Sequence, residues 1–486
     1  MSRFVRSLRS SAAEASMSLR SRVIAISAIL ISGAVFTEGQ ANKVAAGPAV
    51  DSKAVNCLIA PCLLSPTQAS EGGALVNTPP IAINPLNPKE LLVGSNDYNC
   101  PNGGTGAHLS MDGGTTWSVT CMANLVTERT FFEPGGEPEV GFDCNGVAYI
   151  ASTYTEERYN LTSFIGFEKS YDGVHWSNPR VALNVNDSSA GYTGFAVDTN
   201  PGSPYLNALY VSAVAIDPEG YESKEVVVVS HSNDGSKTWK KVAVASAQTS
   251  PDVDSNTSMT VGRDGTAYLT WMYCNSGFYF CEDDDAFMVF SKSMDGGNTW
   301  SKPKLMATVV LNHGALPNSK VGVSNYPAIG VDNSDGPNAG TLYVSMYNWT
   351  GSFMQVQVVR STDGGETWSK PVPVAPGITH DQFFPWISVS PTGLVGISWL
   401  DRRNDPANVD YQAFAAVSTD GGQTFQPNVQ LTTAFSNPNV NGSSSGEFMG
   451  EYTGNTWDGP DYFVAAWMDS SNGVDMQAVV GGIRLK

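Results

Sequence analysis

Six copies of one short turn motif recur along this chain at nearly constant spacing. They read SMDGGTTW (Ser110 to Trp117), SYDGVHW (Ser170 to Trp176), SNDGSKTW (Ser232 to Trp239), SMDGGNTW (Ser293 to Trp300), STDGGETW (Ser361 to Trp368) and STDGGQTF (Ser418 to Phe425). Their aspartates, Asp112, Asp172, Asp234, Asp295, Asp363 and Asp420, are separated by 60, 62, 61, 68 and 57 residues. A fixed period of this length means one supersecondary unit repeated, each copy burying its faces against its neighbours. Each motif lies between β-rich runs: Phe353 to Arg360 leads into the fifth copy, and Pro371 to Val374 leaves it. That is a hairpin with glycine at its tip. The aspartate can accept bonds from turn N–H groups, the glycines supply positive φ, and the Trp or Phe staples the turn to the apolar layer below. Every one of these roles is structural.

These motifs are similar to the Asp-box, or bacterial neuraminidase, repeat, and the chain resembles the sialidase-type β-propeller superfamily over about residues 77–486. The fold expected is all-β, a propeller of four-stranded blades. A second signature precedes the boxes: an apolar strand, an Asn/Asp-Gly turn and an aromatic-rich strand, as in Glu137 to Asp143 with Val147 to Ile150, or Phe384 to Val389 with Leu394 to Trp399. These read as strands A and B, and each box then joins C to D. Beyond the last box, Phe448 to Tyr452, Tyr462 to Trp467 and Met476 to Val480 read as a seventh A–B–C set. Residues 54–66 could supply its fourth strand, since closing the ring removes exposed edges. Seven blades closed by N- and C-terminal strands are therefore expected, with six blades and a C-terminal appendage as the alternative.

The domain order expected is a signal peptide at 1–41, an N-terminal segment at 42–76 that contributes the closing strand, and the propeller at 77–486. Arg20 and Arg22 precede the apolar run Val23 to Phe36, and small residues around Ala41 suit cleavage. A retained anchor is the alternative, although the run is short for a span. The expected location is secreted, periplasmic or extracellular, with no stable membrane span after cleavage. Seven cysteines agree with export. Cys57 with Cys62, Cys100 with Cys121 and Cys274 with Cys281 are candidate pairs, which leaves Cys144 over. The net charge of −19 disfavours nucleic acid, whose phosphates need clustered Lys and Arg. A carbohydrate or an extracellular protein is the expected partner, and a monomer the expected state.

In a propeller the C–D turns share one rim, and the B–C and D–A loops gather on the other, around the channel mouth, where binding is expected. That rim should hold Asp97, Tyr98, Arg129, Glu137, Tyr326, His313, His380, Asp381, Glu447, Glu451 and Asp469. Glu137, Tyr326, His380, Asp381 and Glu451 are the catalytic candidates, because converging carboxylates can do acid–base work or chelate a cation. The densest polar cluster is Asp401-Arg402-Arg403-Asn404-Asp405. Arginine forks bind carboxylates bidentately, so Asp401, Arg402, Arg403 and Arg129 are candidates for holding an acidic ligand; an internal Asp–Arg brace is the alternative. Glu282, Asp283, Asp284 and Asp285 could hold Ca²⁺ or form a solvated acidic loop. No cofactor is required, and Ca²⁺ is the one the sequence admits.

The resemblance implies three arginines on a sialic acid carboxylate, a Tyr–Glu nucleophile pair and an Asp acid/base. The first arginine opens the first blade in an R-I-P type motif. Here that stretch reads Thr78-Pro79-Pro80-Ile81-Ala82, without arginine. A glycan-recognising propeller with hydrolase activity is one expectation. A polysaccharide lyase and a non-catalytic interaction propeller are the others, because fold likeness does not transfer activity.

Overall fold

Period-two runs rich in Val, Ile, Tyr and Trp, broken every eight to ten residues by Gly, Asp and Asn, can satisfy their backbones only as short antiparallel strands. The computed structural model describes residues 61–128, 130–156, 161–184, 189–217, 224–245, 248–249, 252–275, 285–312 and 315–485. The proposed signal peptide, Arg129, His313, Glu282, Asp283, Asp284, Cys57 and Cys281 lie outside the described residues.

The strands form seven separate antiparallel sheets. Blade I is built on Ile81–Asn84, Asn87–Asp97, Thr105–Ser110 and Ser118–Cys121, and blade II on Phe131–Phe142, Ala148–Glu156, Leu161–Ser170 and Arg180–Asn184. Blades III to VI repeat the order, beginning at Ser189–Val197, Asp252–Val261, Ala328–Val331 and Gln382–Val389. In blade VII, Gly454–Asp458, Tyr462–Asp469 and Gln477–Arg484 are completed by Cys62–Gln68 from the other end of the chain, with Cys62 opposite Arg484 and Gln68 opposite Val479. The closing strand thus falls later than 54–66. The innermost strand of blade VII likewise falls after Phe448 to Tyr452, which form its lead-in. Adjacent inner strands touch all the way round, blade VII against blade I included.

The core is a set of apolar layers between neighbouring blades. Leu92, Ala107, Phe142 and Ile150 lie between blades I and II, and Ile81, Val93, Val464 and Val480 seal blade VII onto blade I. Cys100 and Cys121 form a disulfide within blade I. Cys62 and Cys274 are each disulfide-bonded, and Cys144 is free. No described helix is long and apolar enough to cross a membrane.

Each box begins where strand C ends, at Ser110, Ser170, Ser232, Ser293, Ser361 or Ser418. In the fifth, the Ser361 hydroxyl donates to Asp363 Oδ1 (2.7 Å), Thr367 N–H donates to the same oxygen (2.9 Å), and the Thr367 hydroxyl donates to Oδ2 (2.6 Å). These donors hold the Asp363 carboxyl below the usual range, the Thr367 hydroxyl first among them. The box also grips the preceding blade. Trp368 packs edge-on to Phe290 at 5.4 Å, and a Cβ on Gly365 would lie 2.2 Å from the Phe290 ring. The cation just ahead of a box serine reaches the next box: Lys169 to the Gly235 carbonyl (3.2 Å), Lys292 to Gly364 (2.8 Å) and Arg360 to Gly421 (3.0 Å).

Candidate functional site

At the rim opposite the boxes, each innermost strand enters the ring through one triplet. The seven triplets are Thr78-Pro79-Pro80, Glu137-Pro138-Glu139, Tyr192-Thr193-Gly194, Asn256-Thr257-Ser258, Tyr326-Pro327-Ala328, Phe384-Pro385-Trp386 and Tyr452-Thr453-Gly454. In blades I, II, III, IV and VI the pairing with strand B slips by one residue at the triplet. Such a bulge re-aims side chains. Thr78, Glu137, Asn256 and Phe384 carry φ of 54°, 49°, 57° and 50° there. Non-glycine residues in this region cost about 1–3 kcal/mol and persist only where their surroundings fix them. The bulges thereby fix how the triplets stand on this rim.

Tyr452 fills that mouth. It belongs to blade VII, yet its hydroxyl donates to the Pro138 carbonyl of blade II (2.5 Å). Its ring meets Tyr326 of blade V edge-on at 5.0 Å and lies 5.6 Å from Trp386 of blade VI. It is 1% exposed. Three carboxyl groups surround it. Burial first, and then Glu139, Glu451 and Glu137, push the Tyr452 hydroxyl well above its ordinary value. Glu451 and Glu137 are half-buried, and Glu139 is buried.

Side-chain acceptors hold the backbone N–H groups of both glutamates. Glu137 N–H donates to Asn96 Oδ1 (2.7 Å), and Asn96 Nδ2 donates to Asn77 Oδ1 (2.8 Å) and to the Thr78 hydroxyl (3.3 Å). The Thr78 hydroxyl also accepts from Glu451 N–H (3.2 Å). Thr78 thus stands in the stretch where the resemblance implied an arginine, and it holds the main chain of Glu451. Glu451 is raised well above the usual carboxyl range, by burial and then by the negative charge of Glu137. Glu139 is raised by burial. Tyr98, from the B–C loop of blade I, is raised by burial and then by Glu451. The negative charge of Glu137 thus opposes ionisation of Glu451. The side chains of half-buried Trp386 and exposed Tyr98 belong to the same rim.

The structure brings Glu137, Glu451 and Tyr326 together, and it separates them from the other candidates. Asp381 is fully buried and occupied: Oδ1 accepts from Met354 N–H (2.9 Å), and Oδ2 from Asn408 Nδ2 (2.6 Å) and Arg402 Nη1 (3.4 Å). Arg402 is 0% exposed, and its Nη1 also donates to the carbonyls of Pro317 (2.8 Å) and Asn408 (3.0 Å). Arg403 pairs with Asp401 (2.5 Å), donates to Asn428 Oδ1 (2.9 Å) and stacks over Phe414 at 4.2 Å. The expected ligand fork is corrected on this point: Arg402, buried, ties its loop to the lead-ins of blades V and VI, and Arg403 pairs with Asp401, because a buried guanidinium group is stable only against internal acceptors. His380 is half-buried on the segment leading to Asp381. Asp285 is an exposed residue at the start of Asp285–Ser293, and no group of three or more metal-ligating side chains occurs among the described residues.

Glu139, Tyr452, Trp386 and Asn96 escaped the sequence reading. The signal that could have found the first three is the sevenfold triplet itself. It places Tyr452, not Glu451, in register with Glu137, Tyr326 and Phe384.

No family model matches the chain. A sialidase of Micromonospora viridifaciens is 28% identical over 261 residues, 51% of this chain but only 38% of that protein, so the likeness spans about two fifths of the curated relative. An ulvan lyase structure matches over 84% of this chain and 95% of its own, with 13% identity and a TM-score of 0.48. An α-L-arabinanase of Penicillium chrysogenum matches over 75% of this chain and 99% of its own, with 14% identity and a TM-score of 0.46. With seven four-stranded blades closed by strands from both halves of the chain and a glycine-tipped box at the outer hairpin of six of them, this chain is a seven-bladed β-propeller that is similar over about half its length to a sialidase.

Proposed function

We propose that this protein is an exported, glycan-directed propeller that binds carbohydrate at the channel mouth and hydrolyses it through Glu137 and Glu451. The observation that carries this reading is the convergence of two electrostatically linked carboxyl groups from different blades beside an aromatic wall. Glycoside hydrolysis needs such a pair, one carboxylic acid for the leaving oxygen and one carboxylate opposite it. Glu451, with its proton held on, is the acid, and Glu137 is the base or nucleophile. Trp386, half-buried, and Tyr98, exposed, offer faces on which sugar rings can lie. The sialidase relative supports a glycan as the substrate class. The Cys100–Cys121 disulfide is compatible with export.

The test is turnover of a panel of aryl glycosides and reducing-sugar release from polysaccharides by the full chain, alongside Glu451→Gln and Glu137→Gln. General acid–base catalysis is worth about 10²–10⁴-fold, so each variant should lose at least about 100-fold in kcat with its melting temperature kept. Turnover that survives both substitutions would overturn the assignment. Glycan retention without any turnover would reduce the site to a binding one. Absorbance gained near 235 nm on uronic polysaccharides would point to elimination instead.

A further inference from the structure

The turn after the second strand takes nearly the same form in blades VI and VII. Trp399-Leu400-Asp401-Arg402-Arg403-Asn404 in one is Trp467-Met468-Asp469-Ser470-Ser471-Asn472 in the other. The strand pairing agrees with this match. Trp399 faces Phe414 and Asp401 faces Gln412, as Trp467 faces Val479 and Asp469 faces Gln477. In the outermost strands, Gln430 faces Phe414 as Gln68 faces Val479. The hydrogen bonds repeat as well. Asp401 Oδ1 accepts from Arg403 N–H (2.8 Å) and Oδ2 from the Trp399 indole (2.7 Å). Asp469 Oδ1 accepts from Ser471 N–H (2.8 Å) and Oδ2 from the Trp467 indole (3.2 Å).

One partner differs between the two blades. In blade VI, Asp401 Oδ2 also takes the Arg403 guanidinium, which is held over the Phe414 ring and reaches Asn428 Oδ1. In blade VII, Ser471 replaces Arg403 and Val479 replaces Phe414. A cavity of about 240 Å³ lies there, lined by Pro66, Gln68, Thr432, Asp469, Ser471 and Val479 among others. Asp469 is 7% exposed, and among the described residues no cationic side chain pairs with it. A carboxylate so enclosed lacks the counter-charge that its twin in blade VI enjoys, and enclosure strengthens its attraction for one. We infer that this cavity binds a guanidinium group, the group that blade VI brings to the matching place from its own chain. Such a group is planar, always charged and forked, and so fits a carboxylate better than the compact ammonium of lysine does. It would donate to Asp469 and lie against Val479, with the Gln68 and Thr432 side chains beside it. An arginine side chain of a peptide and a small guanidino compound both carry this group. None of these residues belongs to the channel mouth, so the inference is independent of the hydrolase proposal.

The experiment follows the tryptophan indole N–H signals of the full chain by heteronuclear NMR, because the Trp467 indole donates to Asp469 and reports on it. Trp467→Phe identifies its signal, and Trp399→Phe that of its twin. The probes are N-acetylarginine amide, N-acetyllysine amide, the neutral N-acetylcitrulline amide and guanidinium chloride. The arginine amide should shift the Trp467 signal saturably and bind at least about tenfold tighter than the citrulline amide, the size of a charge-assisted contact. The lysine amide should bind more weakly than the arginine amide, and the Trp399 signal should not move. Guanidinium chloride binding as tightly as the arginine amide would assign the cavity to small guanidino compounds, and weaker binding would assign it to a peptide arginine; either result supports the inference. Ser471→Arg should fill the cavity from within and abolish the response while near-ultraviolet dichroism stays native. Arg403→Ser should open the matching space in blade VI, so that the arginine amide shifts Trp399 as well; either variant serves if the other fails to fold. The inference is overturned by the absence of any Trp467 response, by equal binding of the citrulline or lysine amide, or by a response that survives in folded Ser471→Arg.

Discussion

Arg402 shows how a residue's surroundings override its residue type. Read in sequence, a double arginine in a loop looks like a clamp for an anion. In the folded chain its guanidinium ties together the lead-in to blade V at Pro317, the lead-in to blade VI at Asp381 and the B–C loop at Asn408. Burial lowers its pKa and Asp381 raises it in return, burial being the larger effect. Removing one partner of a buried pair leaves the other uncompensated, a loss of about 3–5 kcal/mol. Arg402→Ala should therefore lower the chemical denaturation free energy by about that amount. Loss of ligand affinity at unchanged stability would return the residue to the binding surface. Nothing in the sequence distinguishes these outcomes, because the acceptors Pro317 and Asp381 are far away along the chain. Glu137 and Glu451 were legible as rim carboxylates from their place ahead of a strand. Their partnership was not, since it depends on which blades face each other across the mouth.

At the scale of the element, the boxes were legible because a turn is a local object. Asp, Gly and Thr at fixed offsets determine their own hydrogen bonds. Asp363→Ala removes three of them and should cost about 1–3 kcal/mol, measured as a shift in the denaturation midpoint with glycan binding unaltered. Loss of binding with no loss of stability would contradict a purely architectural role. The inter-blade straps lay half in view: Lys169, Lys292 and Arg360 each stand directly before a box serine, but their acceptors lie one repeat further on. The inner-strand bulges were harder to read. They replace regular alternation with one extra residue; blade VII pairs without such a slip, and there Phe448 to Tyr452 resembled a strand although Gly454–Asp458 is the one that pairs.

For the whole molecule, two populations of carboxyl groups set the dependence on pH. The box aspartates have folded pKa values below their ordinary value, Asp420 at about 2, where hydrogen bonds from Thr424 and Ser418 outweigh burial. Their contribution is present above about pH 4 and is lost as pH falls toward 2. Glu168 and Glu225 are pushed by burial to about 7, so what they contribute is complete below about pH 4.5 and is lost as pH rises to 7. Glu139 and Glu451 shift in the same direction. The net charge of −19 adds repulsion at neutral pH. Melting temperature should peak between about pH 4 and 5; a maximum at pH 7 or above would contradict these assignments. Deleting 61–68 should leave Gln477–Arg484 as an open edge and produce concentration-dependent aggregation, read by light scattering.

The pairing of Cys62 with Arg484 also makes the order of the blades independent of where the polypeptide starts. Joining those two positions with a short linker and cutting instead at the third box, around Gly235, would give a re-threaded chain with the same neighbours throughout. Such a circular permutant should assemble the same mouth from Glu137, Glu139 and Glu451. The start and stop of translation would then be a matter of history rather than of mechanics.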